Sequence, residues 1–279
     1  MTLVQLEPAA EVAPRLPGAP DRPPRRARHT LEAGGLLELD RLALLADRLP
    51  ATSVEHNLGA VPALLPGGRA PQADLTPGEV VRGIATNGCW IVLKNVEQDP
   101  EYARLLDSCL DDVEPVVTGR EGRSLLREGF VFLSCPGSVT PVHIDPEHNV
   151  LLQVRGHKTM SIGRFPDDEA LHRKAEELHG GGHRNLAVDA LDLEDFPLGP
   201  GDGVYVPVRA PHVVRNGEEV SVSLSITWRT RATLRSGRVH AFSARRQRSG
   251  HAPVLPGRSV VRDEAVAGLE RVVGRLRAG

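Results

Sequence analysis

The sequence predicts a mainly β fold, a sandwich or barrel with helices on its flanks. Short β-forming runs follow one another from Phe130: Phe130 to Cys135, Val139 to Ile144, Val150 to Val154, Lys158 to Ile162, Gly203 to Val208 and Val220 to Trp228, each bounded by Gly or Pro. Strands this short and this closely spaced suit a sandwich or barrel rather than a parallel sheet. Upstream of Phe130 the pattern switches to capped helical stripes around one apolar strand. With 279 residues, 40% of them apolar, the chain can bury a genuine core.

Taken in order, residues 1–30 combine many prolines with Arg22, Arg25, Arg26 and Arg28 and few large apolar groups, which predicts a disordered arm. Leu42, Leu44, Leu45 and Leu49 then mark a short helix that ends before Pro50. Thr76-Pro77-Gly78-Glu79 reads as a capping box with proline at the first helical position, opening a helix through about Ala85. Asn87-Gly88 punctuates the chain, and Cys89 to Leu93 has the length of a strand. Asp99-Pro100 starts another helix, striped by Tyr102, Leu105, Leu106, Cys109 and Leu110.

Residues 31–118 are thus expected to form a helical and strand region packed on a core at 119–230, with a helical insertion at 167–179. The stretch 229–258 holds eight arginines and no acidic residue, and 231–258 is expected to be an exposed basic linker. From Ser259, Val260, Val261, Ala265, Leu269, Val272, Val273 and Leu276 recur at helical spacing. An amphipathic helix over 259–279 must cover that stripe, on its own domain or against a second copy, and a homodimer is the expected use.

Composition narrows the class. No run reaches the ~18 to 20 apolar residues of a membrane span, and Met1 to Ala10 lacks the basic start and apolar segment of a secretory signal. The expected setting is therefore the cytoplasm, with no membrane partner. Cys89, Cys109 and Cys135 are an odd set without CxxC spacing, which argues against a disulfide framework or zinc knuckle. A net charge of -2 offers no general attraction for nucleic acid.

The stretch that carries chemistry is Gly137-Ser-Val-Thr-Pro-Val-His143-Ile-Asp145-Pro-Glu-His-Asn149. Alternate residues of a strand share a face, so His143 and Asp145 can aim an imidazole and a carboxylate at one point. Alone, that tripeptide is weak support for a metal. Far downstream, Pro200-Gly-Asp-Gly-Val-Tyr-Val-Pro-Val-Arg-Ala-Pro-His212 delivers a second histidine from a turn, a strand and a proline-bounded corner. Two histidines and one carboxylate on one face of an ion form the triad of non-haem Fe(II) oxygenases. Lys158 lies in a strand otherwise poor in charge, where a buried ammonium needs an anionic partner.

With those residues in place, the span from about Phe130 to Thr230 resembles the JmjC-like, cupin-fold 2-oxoglutarate oxygenases, especially their factor-inhibiting-HIF-like branch. The likeness is carried by Gly137 to Asn149, Leu151 to Lys158, Phe165-Pro-Asp-Asp, Leu198 to Pro207 and Val220 to Trp228. It implies a double-stranded β-helix (cupin or jelly roll) with N-terminal helices and a C-terminal helix. It also implies His143, Asp145 and His212 as Fe(II) ligands, Lys158 and Thr140 on the distal carboxylate of 2-oxoglutarate, and Asn149 near that co-substrate. The implied reaction consumes 2-oxoglutarate and O2, hydroxylates a protein, peptide or amino-acid-type substrate, and releases succinate and CO2.

Where family members often carry aromatic residues before the distal histidine, this chain has Val208-Arg209-Ala210-Pro211. Arg209 is read as a solvent-exposed corner rather than a contact for an acidic substrate. A second metal site at His172, His179 and His183 is not favoured. His148 and His157 fall outside the matching positions, and Tyr205 and Trp228 are expected in the core. The alternative reading is a non-catalytic cupin that binds a small molecule and regulates transcription through its basic tails. A third is a metal-dependent cupin without 2-oxoglutarate, for which Lys158 is incidental.

Overall fold

The computed structural model describes residues 2–8, 16–18, 20–31, 35–58, 75–119, 121–186 and 191–278. In chain order these form β1 (Val4–Leu6), β2 (Arg25–His29), α1 (Leu39–Arg48), β3 (Val54–Leu58), α2 (Pro77–Arg82), β4 (Cys89–Lys94), α3 (Pro100–Val117), β5 (Leu125–Ser134), β6 (Val139–His143), β7 (His148–Arg155), β8 (Lys158–Arg164), α4 (Asp168–His179), β9 (Asp192–Leu198), β10 (Asp202–Val206), β11 (His212–Asn216), β12 (Ser221–Arg229), α5 (Arg231–Arg248) and α6 (Val260–Ala278). One sheet runs β1-β2-β10-β7-β12-β5-β4-β3 and the other β6-β11-β8-β9, with antiparallel neighbours in both. Strands β5 to β12 contribute four to each sheet, which is the double-stranded β-helix of a jelly roll. The remaining strands lengthen the larger sheet at both edges.

Strand periodicity decides which residues meet where. On β7, β10 and β12 one set of alternate residues, including Val150, Leu152, Tyr205, Leu224, Ile226 and Trp228, packs outward against α1, α2 and α3 through Leu42, Leu45, Val80, Tyr102 and Leu106. The other set faces the second sheet, where Leu151, Val204 and Val206 meet Met160, Ile162, Phe196 and Val214. Being covered on both faces, β7 and β12 are buried along nearly their whole length. The inward face of β12 is nevertheless polar: Ser221, Ser223, Ser225 and Thr227 alternate with its apolar residues and are all buried. The tight turn joining β7 to β8 needs Gly156, whose φ is +67° and whose missing Cβ would lie 2.4 Å from the Val220 carbonyl oxygen.

The capping box at Thr76 forms as expected, its side chain accepting from the Glu79 N–H while Glu79 accepts from the Thr76 N–H. Asp99 caps α3 by accepting from the Glu101 N–H. None of the helices among the described residues is long and apolar enough to cross a membrane.

Two expectations are corrected. Within the arm expected at 1–30, Val4–Leu6 and Arg25–His29 are strands, β2 pairing with β10 and β1 with β2; residues 9–15 lie outside the described residues. Backbone hydrogen bonds to an exposed sheet edge need no apolar side chains, so composition alone missed them. The linker expected at 231–258 is largely the helix α5, whose start Thr230 and Thr233 cap. Its buried face is Gly237, Val239, His240 and Ser243, too small and polar to register as an apolar stripe. The helix expected at 259–279 is present as α6, but it docks through Asp263 and Ala267. Val260, Val261, Leu269 and Val272 of its expected apolar stripe stay exposed.

Candidate metal centre

His143 ends β6 and His212 begins β11, and the two residues pair directly across the ladder. The register shifts between His212 and Val214, so that Val214 pairs with Thr140. An extra residue of this kind puts Thr140 and His143, three positions apart, on the same face. Asp145 follows in the loop after β6, its Oδ2 lying 3.6 Å from His143 Nε2 and 3.4 Å from His212 Nε2. The imidazole centroids are 4.1 Å apart.

Each ring is oriented by its own backbone. His143 Nδ1 lies 2.7 Å from the Pro141 carbonyl oxygen and His212 Nδ1 2.9 Å from that of Ala210. A carbonyl only accepts, so Nδ1 carries the proton and Nε2 presents its lone pair. Two lone pairs and a carboxylate oxygen therefore converge without a hydrogen between them, an arrangement that a cation satisfies. Burial and the neighbouring His212 ring push His143 down. An ionised carboxylate and a neutral imidazole are the forms that bind metal.

Lys158 starts β8 on the inward face shared by Met160 and Ile162. It is 5% exposed and makes no hydrogen bond or ion pair among the described residues. Burial pushes its pKa from 10.5 down to about 7. On β7, Asn149 accepts a hydrogen bond from Ser225 Oγ through Oδ1 (2.7 Å), leaving its amide N–H groups as donors. Thr140 is half-buried, and Thr227 Oγ1 is buried without a hydrogen-bond partner. The inward faces of the two sheets thus carry an unpaired ammonium and several neutral donors as well as the His/Asp cluster.

Arg209 departs from its expected place. It is half-buried, with φ +61°, and its N–H donates to the Asp145 carbonyl (2.8 Å) while Nη1 lies 3.3 Å from Ser236 Oγ on α5. It braces the loop that carries the carboxylate against α5. His172 and His179 lie on either side of His240, at 5.5 and 5.9 Å between centroids. Among the described residues, His143, Asp145 and His212 are the group of three whose donor atoms lie close enough to hold an ion. His148 is buried between Tyr205 and Glu121, and His157 pairs with Glu219 at the surface.

Sequence reasoning missed two groups. Ser225 was legible in the alternation of Ser221, Ser223, Ser225 and Thr227, a polar stripe in a strand otherwise bound for the core. Arg184, whose Nη1 lies 2.9 Å from Asp145 Oδ1, sits in a loop with no local pattern to mark it.

Residues 124–235 match the JmjC domain family, and the strands of that span form the two sheets of the jelly roll. Over 108 residues it is 34% identical to Jumonji C domain-containing protein 5 of Drosophila melanogaster, covering 35% of this chain and 26% of that one. Over 104 residues it is 32% identical to lysine-specific demethylase 8 of Danio rerio, covering 33% and 25%. The match spans about a quarter of the length of these relatives. Among solved structures, YcfD, a ribosomal oxygenase from Escherichia coli, is 14% identical over 90% of this chain and 62% of its own, with a TM-score of 0.44; the fold assignment rests instead on the strand order. JmjC domains use Fe(II) and 2-oxoglutarate. The three converging lone-pair donors fit the ion, and the unpaired Lys158 ammonium fits a dicarboxylate.

Proposed function

We propose that this chain is an Fe(II)- and 2-oxoglutarate-dependent oxygenase that hydroxylates a protein, peptide or amino-acid-type substrate. The observation that carries the reading is the pairing of the His143/Asp145/His212 cluster with a buried, partnerless Lys158 on the inward face of one sheet. His143 and His212 would bind through Nε2 and Asp145 through a carboxylate oxygen. Lys158 would neutralise the distal carboxylate, Thr140 would donate its hydroxyl to the same group, and Asn149 would donate an amide N–H nearby. When bound, Fe(II) and 2-oxoglutarate supply the activation of O2, coupling decarboxylation of the keto acid to succinate and CO2 with transfer of one oxygen atom to a substrate C–H bond. The protein's part is to hold these groups in fixed relative positions, with His143, His212 and Lys158 buried.

The Danio rerio relative is named a lysine-specific demethylase. Hydroxylation of an N-methyl carbon gives an unstable carbinolamine that releases formaldehyde, so formaldehyde separates that outcome from stable hydroxylation. The likeness to the factor-inhibiting-HIF-like branch rests on the sequence segments and supports a protein or peptide substrate. The regulator reading loses support from α6, because Arg235 and Arg245 of α5 are paired with Glu264 and Glu270. The exposed Val260, Val261, Leu269 and Val272 support pairing of α6 with a second copy, which sedimentation of the Leu269→Glu variant tests.

Anaerobic addition of Fe(II) and 2-oxoglutarate should give a weak visible charge-transfer band, followed by succinate in air. A protein that binds neither, or a His212→Ala variant that keeps both, overturns the proposal.

A further inference from the structure

Asp145 does not offer its two oxygens to the same neighbours. Oδ2 faces the Nε2 atoms of His143 and His212 at 3.6 and 3.4 Å, whereas Oδ1 accepts a hydrogen bond from Arg184 Nη1 at 2.9 Å. Arg184 is brought there by backbone pairing. The Ile144 N–H donates to the Arg184 carbonyl (3.2 Å), the Leu186 N–H donates to the Val142 carbonyl (2.9 Å), and Asn185 bridges to His143. Residues 184–186 therefore form a short antiparallel edge beside β6. The residue before them is tied down by α4, where the buried Lys174 donates from Nζ to the His183 carbonyl at 2.8 Å. An exposed arginine held by charge alone would stabilise little. Here the backbone on both sides of the pair is already fixed, so that only the arginine rotamers remain to be ordered when the guanidinium meets Oδ1.

Resting on the metal-site reading above, we infer that Arg184 is a positioning residue: it keeps Oδ1 engaged so that Asp145 binds the ion through Oδ2 alone. The number of coordination positions gives this its consequence. Two imidazoles and one carboxylate oxygen occupy half of an octahedral ion, leaving two positions for the chelating keto acid and one for O2. A carboxylate free to bind through both oxygens takes a further position, and the chelated keto acid then closes the ion to O2. Arg184 preserves that last position, acting through Asp145 without touching substrate.

The test counts the open position directly. With Mn(II) in place of Fe(II) and saturating 2-oxoglutarate, water-proton relaxation reports whether an exchangeable water remains on the ion. The wild-type ternary complex should keep one. Arg184→Ala should lose it, with a several-fold drop in relaxation enhancement, and Arg184→Lys, which retains a donor, should restore most of it. The Arg184 side chain is 55% exposed, so these variants should keep the wild-type circular dichroism and melting temperature. An Arg184→Ala protein with wild-type relaxation overturns the inference. A wild-type protein that fails to bind Mn(II), or binds it equally after His212→Ala, overturns the metal-site reading itself.

Discussion

His143 and His212 are set in the same tautomer by the same device, each ring resting its Nδ1 on the backbone carbonyl two residues earlier, at Pro141 and Ala210. Both Nε2 atoms are thereby presented to Asp145 before any ion arrives. A preformed site of this kind binds the folded chain and not the unfolded one, so metal should stabilise the fold by mass action, by about 2.7 kcal/mol at a hundred times the dissociation constant. Thermal melts with and without Mn(II) or Co(II) should show the shift in the wild type. His143→Ala and His212→Ala should abolish it, and an undiminished shift in either variant would remove that residue from the ligand set.

Lys158 makes co-substrate binding depend on pH in a stated direction. In the empty protein burial puts its pKa at about 7, so above neutrality the amine must take up a proton to pair with a carboxylate. Affinity for 2-oxoglutarate should be level below about pH 7 and fall roughly tenfold per pH unit above it. Calorimetric titrations of the Mn(II) protein in two buffers of different ionisation enthalpy should find about one proton taken up at pH 8.5 and almost none at pH 6. Lack of uptake at the higher pH would mean that another group receives the diacid.

The same burial carries a stability cost that Lys158→Met should relieve. Because the folded pKa is about 7 against 10.5 for a solvent-exposed lysine, the unfolded chain holds an extra proton between those values, and wild-type stability rises with pH across that interval. Methionine keeps the stem and removes the charge. The metal-free variant should be more stable by about 1 to 4 kcal/mol at pH 6 to 7, with the gain shrinking toward pH 10, while its affinity for 2-oxoglutarate collapses. Urea midpoints at the two pH values check this. A variant less stable than wild type at pH 6 would imply an anionic partner for the ammonium.

The jelly roll was legible because short β-forming runs follow one another closely from Phe130, and the ligand pair was legible because His143 and Asp145 alternate around Ile144. Neighbours reached across sequence were not. Asp192–Leu198 is an edge strand with only Phe196 and Leu198 fully buried, so its composition reads as a loop. Thr140 and His143 share a face only because the β6–β11 register slips, a backbone event with no residue signature here. Arg184 meets Asp145 through pairing of a loop with β6, and Arg209 reaches α5, an element whose arginines had suggested solvent.

The buried face of α5 sets the acid limit of the fold. His240 is fully buried with neither ring nitrogen hydrogen-bonded. Burial, followed by Arg209, His179 and His172, pushes its pKa from 6.5 down to about 2, and His179 on α4 is pushed to about 4. Below pH 6.5 the unfolded chain accepts protons that the folded chain refuses, so stability is full above that pH and lost as pH falls toward 2. His240 alone should remove about 2 kcal/mol between pH 6.5 and pH 5. Replacing it with phenylalanine sacrifices no hydrogen bond and should flatten that limb. Urea unfolding at pH 7.5 and pH 5 should show the wild type losing more than His240→Phe by roughly that amount, whereas parallel losses would mean that the acid sensitivity resides in other groups.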